Sequence, residues 1–379
     1  MLDINVYPDT HPRHSSPIYA GLFELEHRGE ARVGFFRRRP LALRDESSYA
    51  GHTLWLEVAD SVRGIHRRVC FDMEDSHAYN ALDRLDACDV YFKRSYSRGA
   101  SGALAPRRRA KILPYGLYAP CSSPHERGLV ARAWHYRRQH AGTAAALRAA
   151  AAAMRTRYLR WRRPQAAAHY PYPFMQRWAE PQEGSSEPVV LFQTRVWDPA
   201  EWAPVQRDEV ARLNHERAEI VRALRRSLGP RFVGGLAPSP YAAAHYADCL
   251  TERSTSRAGF MQLVKGSSVA VTSTGLHRSI GARLAEYVAA GRAIVTEALP
   301  CELPVPLIEE RNLLSFDDTD GCVAACVRLL EERDLADRMR AANRRYYMAQ
   351  LEPAAHMRRC LEQALARVPG AVAACAESY

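Results

Sequence analysis

Lysine is nearly absent from this chain of 379 residues. Lys93, Lys111 and Lys265 are the only three among 53 basic residues, so arginine carries almost all of the formal charge of +11. Beside alanine runs such as residues 149–153, this reads as coding bias as well as function, and the charge favours anionic partners less than its size implies. No apolar run approaches the roughly 18–20 residues of a membrane span. The opening MLDINVYPDTHPRH lacks the basic start and apolar stretch of a secretory signal, so a cytoplasmic location is expected. The nine cysteines include no CxxC pair. Cys322 and Cys326 stand one helical turn apart with no second ligand pair near them in sequence, so reduced thiols are expected rather than a zinc site. No internal repeat or long low-complexity tail occurs. What remains, at 47% hydrophobic and 25% charged residues, is a globular chain long enough for two domains of about 150–200 residues.

In the first half, apolar runs at 3–7, 31–36, 53–58, 68–71, 89–92 and 111–113 read as strands, with a helix over 79–87. This alternation predicts a doubly wound parallel α/β sheet. From about 126 to 163 the composition turns to alanine and arginine and predicts helix, ended by Pro164. Leu147, Met154, Tyr158 and Trp161 share one face of it, with Arg148, Arg155 and Arg162 alongside. That face either packs on the first domain or lies on an anionic membrane. A stretch rich in Pro, Gln, Glu, Gly and Ser, ending at residue 188, reads as a linker. Beyond it, strands at 189–193, 231–233, 269–272 and 293–296 alternate with helices at 207–228, 282–290 and 322–332, which makes a second α/β domain.

The densest chemical signal is the segment 273–297. A strand ends near Thr272, a loop with Gly275 and Gly281 follows, and a helix starts with free amides. In open α/β sheets, ligands bind beyond the carboxyl ends of the strands, and such a helix start suits a phosphate. His277, Arg278 and Ser279 can add donors, and Glu286 can accept hydrogen bonds from a sugar diol. The plainer alternative is a glycine-bearing loop with an exposed arginine and a solvated glutamate.

Residues 188–345 resemble the C-terminal domain of GT-B glycosyltransferases of the "group 1" type. The resemblance rests on Phe192-Gln193-Thr194-Arg195, Phe232-Val233-Gly234-Gly235, Arg278-Ser279-Ile280-Gly281 with Glu286-Tyr287, Gly291-Arg292-Ala293-Ile294-Val295, and Asn312-Leu313-Leu314-Ser315-Phe316, in that order. It implies two Rossmann-like doubly wound domains facing a cleft, divided as 1–165, 166–345 and a C-terminal segment 346–379 crossing back to the first domain. It implies a nucleotide-diphosphate-sugar donor bound by Arg195, Gly234, Gly275, His277, Arg278, Ser279, Gly281 and Glu286, with no metal or other cofactor. Arg278 replaces the family's first glutamate. A guanidinium has only donors, so the resemblance leaves retention or inversion at the sugar undecided.

Lys111–Leu117 resembles the segment that closes the family's first domain, and Ser16–Gly21 the loop after its first strand. Tyr19 and Gly21 are therefore expected on the acceptor side, and Lys93, at the end of a predicted strand, is expected to support the acceptor or a phosphate. Asp72, Asp75 and His77 follow a predicted strand and are the candidates for a general base; they read equally well as the acidic start of a helix. The expected acceptor is a glycan, a glycolipid or another cell-surface or secondary-metabolite hydroxyl, met in the cytoplasm or on the inner membrane face. Two other readings stay open, a basic nucleic-acid-binding protein and a catalytically inactive GT-B scaffold. Against the first, no helix-turn-helix, zinc-finger or RRM-like signature is present.

Overall fold

The computed structural model describes residues 1–7, 10–35, 52–162, 176–179 and 187–367. The chain divides into two compact units. One holds Met1–Phe174, Cys301–Val305 and Glu352–Tyr379; the other holds Met175–Pro300 and Pro306–Leu351. In chain order the first unit runs β1 (Leu2–Tyr7), α1 (Pro12–His27), β2 (Ala31–Phe35), β3 (Thr53–Asp60), β4 (Ile65–Asp72), α2 (Leu82–Ala87), β5 (Val90–Lys93), α3 (Arg98–Gly102), α4 (Pro106–Arg109), β6 (Ile112–Pro114) and α5 (Leu129–Arg162). The second runs α6 (Gln176–Ala179), β7 (Glu187–Thr194), α7 (Pro204–Leu228), β8 (Phe232–Leu236), α8 (Pro240–His245), α9 (Arg257–Gly266), β9 (Ser267–Thr272), α10 (Ala282–Ala289), β10 (Ala293–Glu297), β11 (Leu314–Phe316), α11 (Thr319–Glu331) and α12 (Arg333–Tyr346). A last helix, α13 (Pro353–Ala366), belongs to the first unit.

The first sheet has the order β2-β1-β3-β4-β5-β6. It differs from the wholly parallel sheet expected in one strand, since β3 runs antiparallel to both β1 and β4. The cause is local. Four residues join β3 to β4, too few for a crossover, and they turn on Asp60, whose Oδ1 accepts from the Val62 and Arg63 amides. Gly64 closes that turn at φ 64°. Residues 16–21, expected in a loop, lie inside α1. A Cβ on Gly21 would come within 2.4 Å of the Pro353 carbonyl and 2.7 Å of Met357 Cβ, so this glycine lets α1 and α13 touch.

The α5 segment breaks at Gly142 (φ 77°, ψ 175°). After the break its alanine side packs: Ala146, Ala150 and Ala153 are buried, while Leu147, Met154 and Tyr158 are 55–58% exposed. The face singled out in the sequence is thus not the one that packs. The side chains of Trp161 and Arg162 lie outside the described residues. Of the linker expected up to residue 188, 176–179 form α6 and 187–188 begin β7; the rest lies outside the described residues.

The second sheet is wholly parallel, in the order β11-β10-β9-β7-β8. Both faces are covered, as a parallel sheet requires. Val190, Phe192, Val269, Val271, Ala293 and Val295 pack with Ile220, Val221 and Leu224 of α7 and Cys322 and Cys326 of α11. The alternate residues Leu191, Ala270 and Ile294 are fully buried as well. Gly234 and Gly235, placed beyond the expected strand at 231–233, lie within β8 at φ 120° and 129°. A Cβ on Gly234 would meet the Phe192 carbonyl at 2.2 Å, so its role is to let β8 lie against β7. Eight of the nine cysteines are described, and all eight are buried.

Candidate functional site

In the second sheet the chain winds outward from β7 in both directions, through β8 on one side and β9 on the other. The strand ends at β7 and β9 are where such sheets hold ligands. The structure fastens these two ends with Arg217 of α7. Its guanidinium donates to the carbonyls of Arg195 (2.8 Å) and Thr274 (3.1 Å) and to Ser273 Oγ (3.3 Å), and lies over Trp197 at 4.6 Å. Burial lowers its pKa to about 10.

The loop after β9 is held just as firmly. The amide and hydroxyl of Thr274 both donate to Glu297 Oε2, at 3.0 and 2.5 Å. The Gly275 amide donates to the Ser279 carbonyl at 2.8 Å. Between them His277 and Arg278 adopt φ of 57° and 50°, a left-handed conformation that costs a non-glycine residue about 1–3 kcal/mol. The His277 amide donates to Glu209 Oε1 at 2.6 Å, which helps hold the bend. Two strained residues in succession turn Arg278 toward a cavity of about 460 Å³.

That cavity lies at the carboxyl ends of β9, β10 and β11. Thr274, Gly275 and Arg278 line it from one loop, Glu297 and Ala298 from the end of β10, and Phe316, Asp317, Asp318 and Thr319 from the end of β11. Helix α7 adds Arg212, Leu213, Glu216 and Ile220. Arg212 and Glu216 pair with each other at 2.8 Å, and Asp318 caps α11 through the Gly321 amide at 2.7 Å. The lining offers several carboxylate acceptors and one unshared guanidinium, a donor set suited to a ligand rich in hydroxyls with an anionic end. Among the described residues no group of three or more His, Cys, Asp or Glu side chains is placed to hold a metal ion.

Of the expected donor residues, Gly275 and Arg278 therefore line the cavity. Arg195 is exposed at the end of β7, with its guanidinium 5.4 Å from the Trp197 ring. Ser279 is buried beneath the loop, His277 is exposed on the α7 side, and Gly281 precedes α10 with open space where a Cβ would stand. Glu286 is 1% exposed and its Oε1 lies 2.6 Å from Arg257 Nη2, so the plainer alternative of a solvated glutamate does not hold. Gly234 lies in β8, outside the cavity lining. Arg217 and Glu297 were missed. Nothing in the sequence separates Arg217 from the other arginines of a polar helix, whereas Glu297 stood at a predicted strand end and was within reach.

In the first unit the strand ends hold a different arrangement. Asp72, at the end of β4, is 1% exposed; its Oδ2 accepts from Lys93 Nζ at 2.8 Å and Tyr91 Oη at 2.6 Å, and its Oδ1 accepts from the Glu74 amide at 3.0 Å. Lys93 also donates to the Ala78 carbonyl at 2.8 Å and is fully buried. Both candidates are thus occupied by each other. Asp75 pairs with Arg94, and His77 Nδ1 lies 3.1 Å from the Ser95 carbonyl. Tyr19 is buried within α1 beneath the Arg132 guanidinium at 3.9 Å. With Gly21 at the α1–α13 contact, the expected acceptor-side residues sit in packing roles. The sequence reading missed a cluster beside Asp75: His14 meets His11 at 5.1 Å and His52 at 4.8 Å between ring centres, and Arg94 lies over Tyr118 at 4.1 Å.

No protein-family model matches the sequence, and no curated protein matches it either. Solved structures do. The chain is similar to the C-terminal domain of a group 1 family glycosyl transferase from Francisella tularensis, at 10% identity over 46% of this chain and 96% of that one, with a TM-score of 0.33. It is similar to the pneumococcal O-GlcNAc transferase in complex with UDP and GlcNAc, at 16% identity over 50% of this chain and 38% of that one, with a TM-score of 0.32. It is also similar to UDP-GlcNAc 2-epimerase from Neisseria meningitidis bound to UDP-GlcNAc, at 12% identity over 75% of this chain and 63% of that one, with a TM-score of 0.36. The chain thus spans less than two thirds of the length of the last two. At these TM-scores the architecture stands on its own sheets, and the reading below on its own residues.

Proposed function

We propose that the protein is a glycosyltransferase that moves a sugar from a nucleotide-diphosphate donor to a hydroxyl acceptor. The observation that carries this reading is the cavity at the carboxyl ends of β9–β11, where Arg278 is held in left-handed backbone among Glu297, Asp317 and Asp318. Carboxylates accept hydrogen bonds from sugar hydroxyls, and they repel a diphosphate. The sugar therefore occupies the cavity, and the diphosphate lies outward toward Arg278 and Arg195. These arginines offset the charge of the leaving diphosphate, and no resident metal enters the reading. Where the resembling family carries a glutamate, this chain carries Arg278 and takes its sugar-facing acceptors from the neighbouring strand ends. Thermal-shift measurements with UDP, GDP, dTDP, ADP and CMP test the proposal. At least one should stabilise the protein, and less so after Arg278→Ala; stabilisation by none of them would sink it.

For the acceptor, the reading is a glycan, glycolipid or secondary-metabolite hydroxyl presented at an anionic membrane surface. Supporting the membrane side, Leu147, Met154 and Tyr158 are exposed on α5 beside exposed Arg148 and Arg155, and residues 129–162 contain no Asp or Glu. No described helix is long and apolar enough to cross a membrane, so the contact would be with the surface. Cosedimentation with phosphatidylglycerol vesicles but not phosphatidylcholine vesicles is expected, and loss of it after Leu147→Glu with Met154→Glu. Equal recovery with both lipids would remove the membrane from the reading.

A further inference from the structure

Arg84, in α2 of the first unit, is 0% exposed. Among the described residues it alone has all three guanidinium nitrogens buried without a hydrogen-bond partner. A guanidinium does not shed its proton inside a protein, and a buried charge with no counter-charge is costly. The other charges around α2 are matched. Asp86 pairs with Arg108, Lys111 caps the carbonyls of Leu85, Asp86 and Cys88, and Asp72 pairs with Lys93. Asp83 is the exception, with its Oδ2 also buried and unmet. It follows Arg84's own helix by one position, and adjacent positions on a helix do not face each other.

A second unmet donor lies on the same packing surface. Trp55 of β3 is 2% exposed, and its Nε1 is buried with no partner, although a buried indole usually finds one. Trp55 stands opposite Cys70 across the β3–β4 ladder, and both belong to an apolar cluster with Leu85 of α2, Cys88 and Ile112. Arg84 reaches the same place. Burial raises the Cys70 thiol well above its usual range, and the Arg84 charge opposes that shift. Guanidinium and indole donors among apolar side chains select an anion. Burial then selects its size, since a phosphate or sulfate needs room for four oxygens. A halide is small, spherical and able to accept from N–H groups in any direction.

We propose that the Arg84 guanidinium and Trp55 Nε1 form a halide-binding site inside the first unit, with chloride as its ligand. The anion accepts from both groups and neutralises the buried charge, through the charge-assisted hydrogen bonds that are the strong ones in a dry interior. Residues of β3 and α2 meet there only in the folded chain, so chloride binds the folded state and stabilises it by mass action. The site serves the fold of the first unit and is independent of the transfer reaction proposed above.

The test uses the whole chain. Thermal unfolding is compared in sodium chloride and sodium gluconate at equal ionic strength, gluconate being too large to enter, and chloride binding is read directly from the NMR line width of the ion. At about ten times its dissociation constant, chloride should raise the midpoint by about 2–4 °C. The native chain should also broaden the chloride signal, and bromide should reverse the broadening by competition. Arg84→Met should lose both responses and be no less stable than the native chain in gluconate, because a charge without a partner has been removed. Trp55→Phe keeps the ring and should weaken chloride binding at least threefold. A native chain that neither broadens the signal nor gains more from chloride than Arg84→Met does would show that water meets the guanidinium, and the site would be struck out. Broadening that survives Arg84→Met places the ion elsewhere and overturns the assignment. Should Arg84→Met fail to fold, Trp55→Phe decides, and unchanged chloride affinity in that variant overturns the site as drawn.

Discussion

The carboxyl ends of the strands in the two sheets put charged residues to opposite uses. In the first unit Asp72 and Lys93 are buried against each other, with Tyr91 and a backbone carbonyl completing the set. In the second, Glu297 holds a loop with one oxygen while Arg278, Asp317 and Asp318 face an open cavity. A buried and fully satisfied set is a structural element, whose removal is felt as lost stability. A strained, half-satisfied set facing a cavity has its value in what binds there. Position at the end of a strand therefore marks a candidate, and burial with satisfaction decides which kind it is.

The largest effect should come from breaking the buried set. Asp72→Ala strands the Lys93 ammonium with one carbonyl partner, and a loss of about 3–5 kcal/mol is expected. Urea unfolding measures it. The double change Asp72→Asn with Lys93→Met should recover most of that loss, because both charges leave together. A loss below about 1 kcal/mol for Asp72→Ala would return this carboxylate to the list of candidate bases.

Acid sharpens the contrast next. Burial, and after it the neighbouring His52, Arg94 and His11, pushes His14 down to about 3, and burial pushes His356 down to about 3. Both lie in the first unit. Each imidazole is neutral when folded and titrates near 6.5 when unfolded, so the unfolded state takes up the proton. Their contribution is complete above about pH 6.5 and is lost as pH falls from there toward 3. At pH 5 the loss is about 2 kcal/mol for each group. Hydrogen exchange at pH 7 and pH 5, read by unit, should show α1 and α13 losing protection before α7 and α11. Equal losses in the two units would contradict the assignment.

How much of this was legible in the sequence depended on what each feature is made of. Strands announce themselves by short apolar runs, and every strand expected from such a run is present. The direction of β3 was hidden because it is set by Asp60 and Gly64 in a four-residue turn, not by the strand. Helix α1 was hidden because residues 16–21 resembled a loop of the family, although Pro17 is tolerated inside the helix. Glycine and strand-end patterns pointed to Gly275 and Arg278. Arg217 and Arg257 were illegible because, in a chain where arginine replaces lysine almost everywhere, one more arginine carries no signal until its partners are seen. For Glu286 the residue was legible and its surroundings were not, since burial depends on α6 and α9, which no pattern placed beside it.

At the other edge, Arg278→Gly should separate stability from binding. Glycine adopts φ near 50° without penalty, so the variant should gain up to about 1 kcal/mol. Nucleotide affinity should fall about tenfold, or about 1.4 kcal/mol, for want of the charge-assisted contact. Unfolding curves and calorimetry on the same preparations check both halves. A variant that loses stability and keeps its affinity would show that Arg278 is part of the scaffold.

The smallest effect isolates burial as the deciding variable within one unit. Glu30 and Arg358 form a two-pronged pair at 2.5 and 2.8 Å, a geometry at least as good as that of Asp72 and Lys93. Both side chains are 37% exposed, however, against 2% and 0% for the buried pair. The Arg358 guanidinium holds the Glu30 carboxyl below its ordinary range, chiefly through that hydrogen bond, but water and salt screen most of the interaction. Arg358→Ala should therefore cost less than about 1 kcal/mol, and the difference from the native chain should shrink further in 0.5 M salt, roughly a threefold rise over physiological ionic strength. If this exposed pair matched Asp72 and Lys93 in cost, hydrogen-bond geometry rather than desolvation would govern the charges of the first unit, and the distinction between its buried strand ends and the open cavity of the second would lose its physical basis.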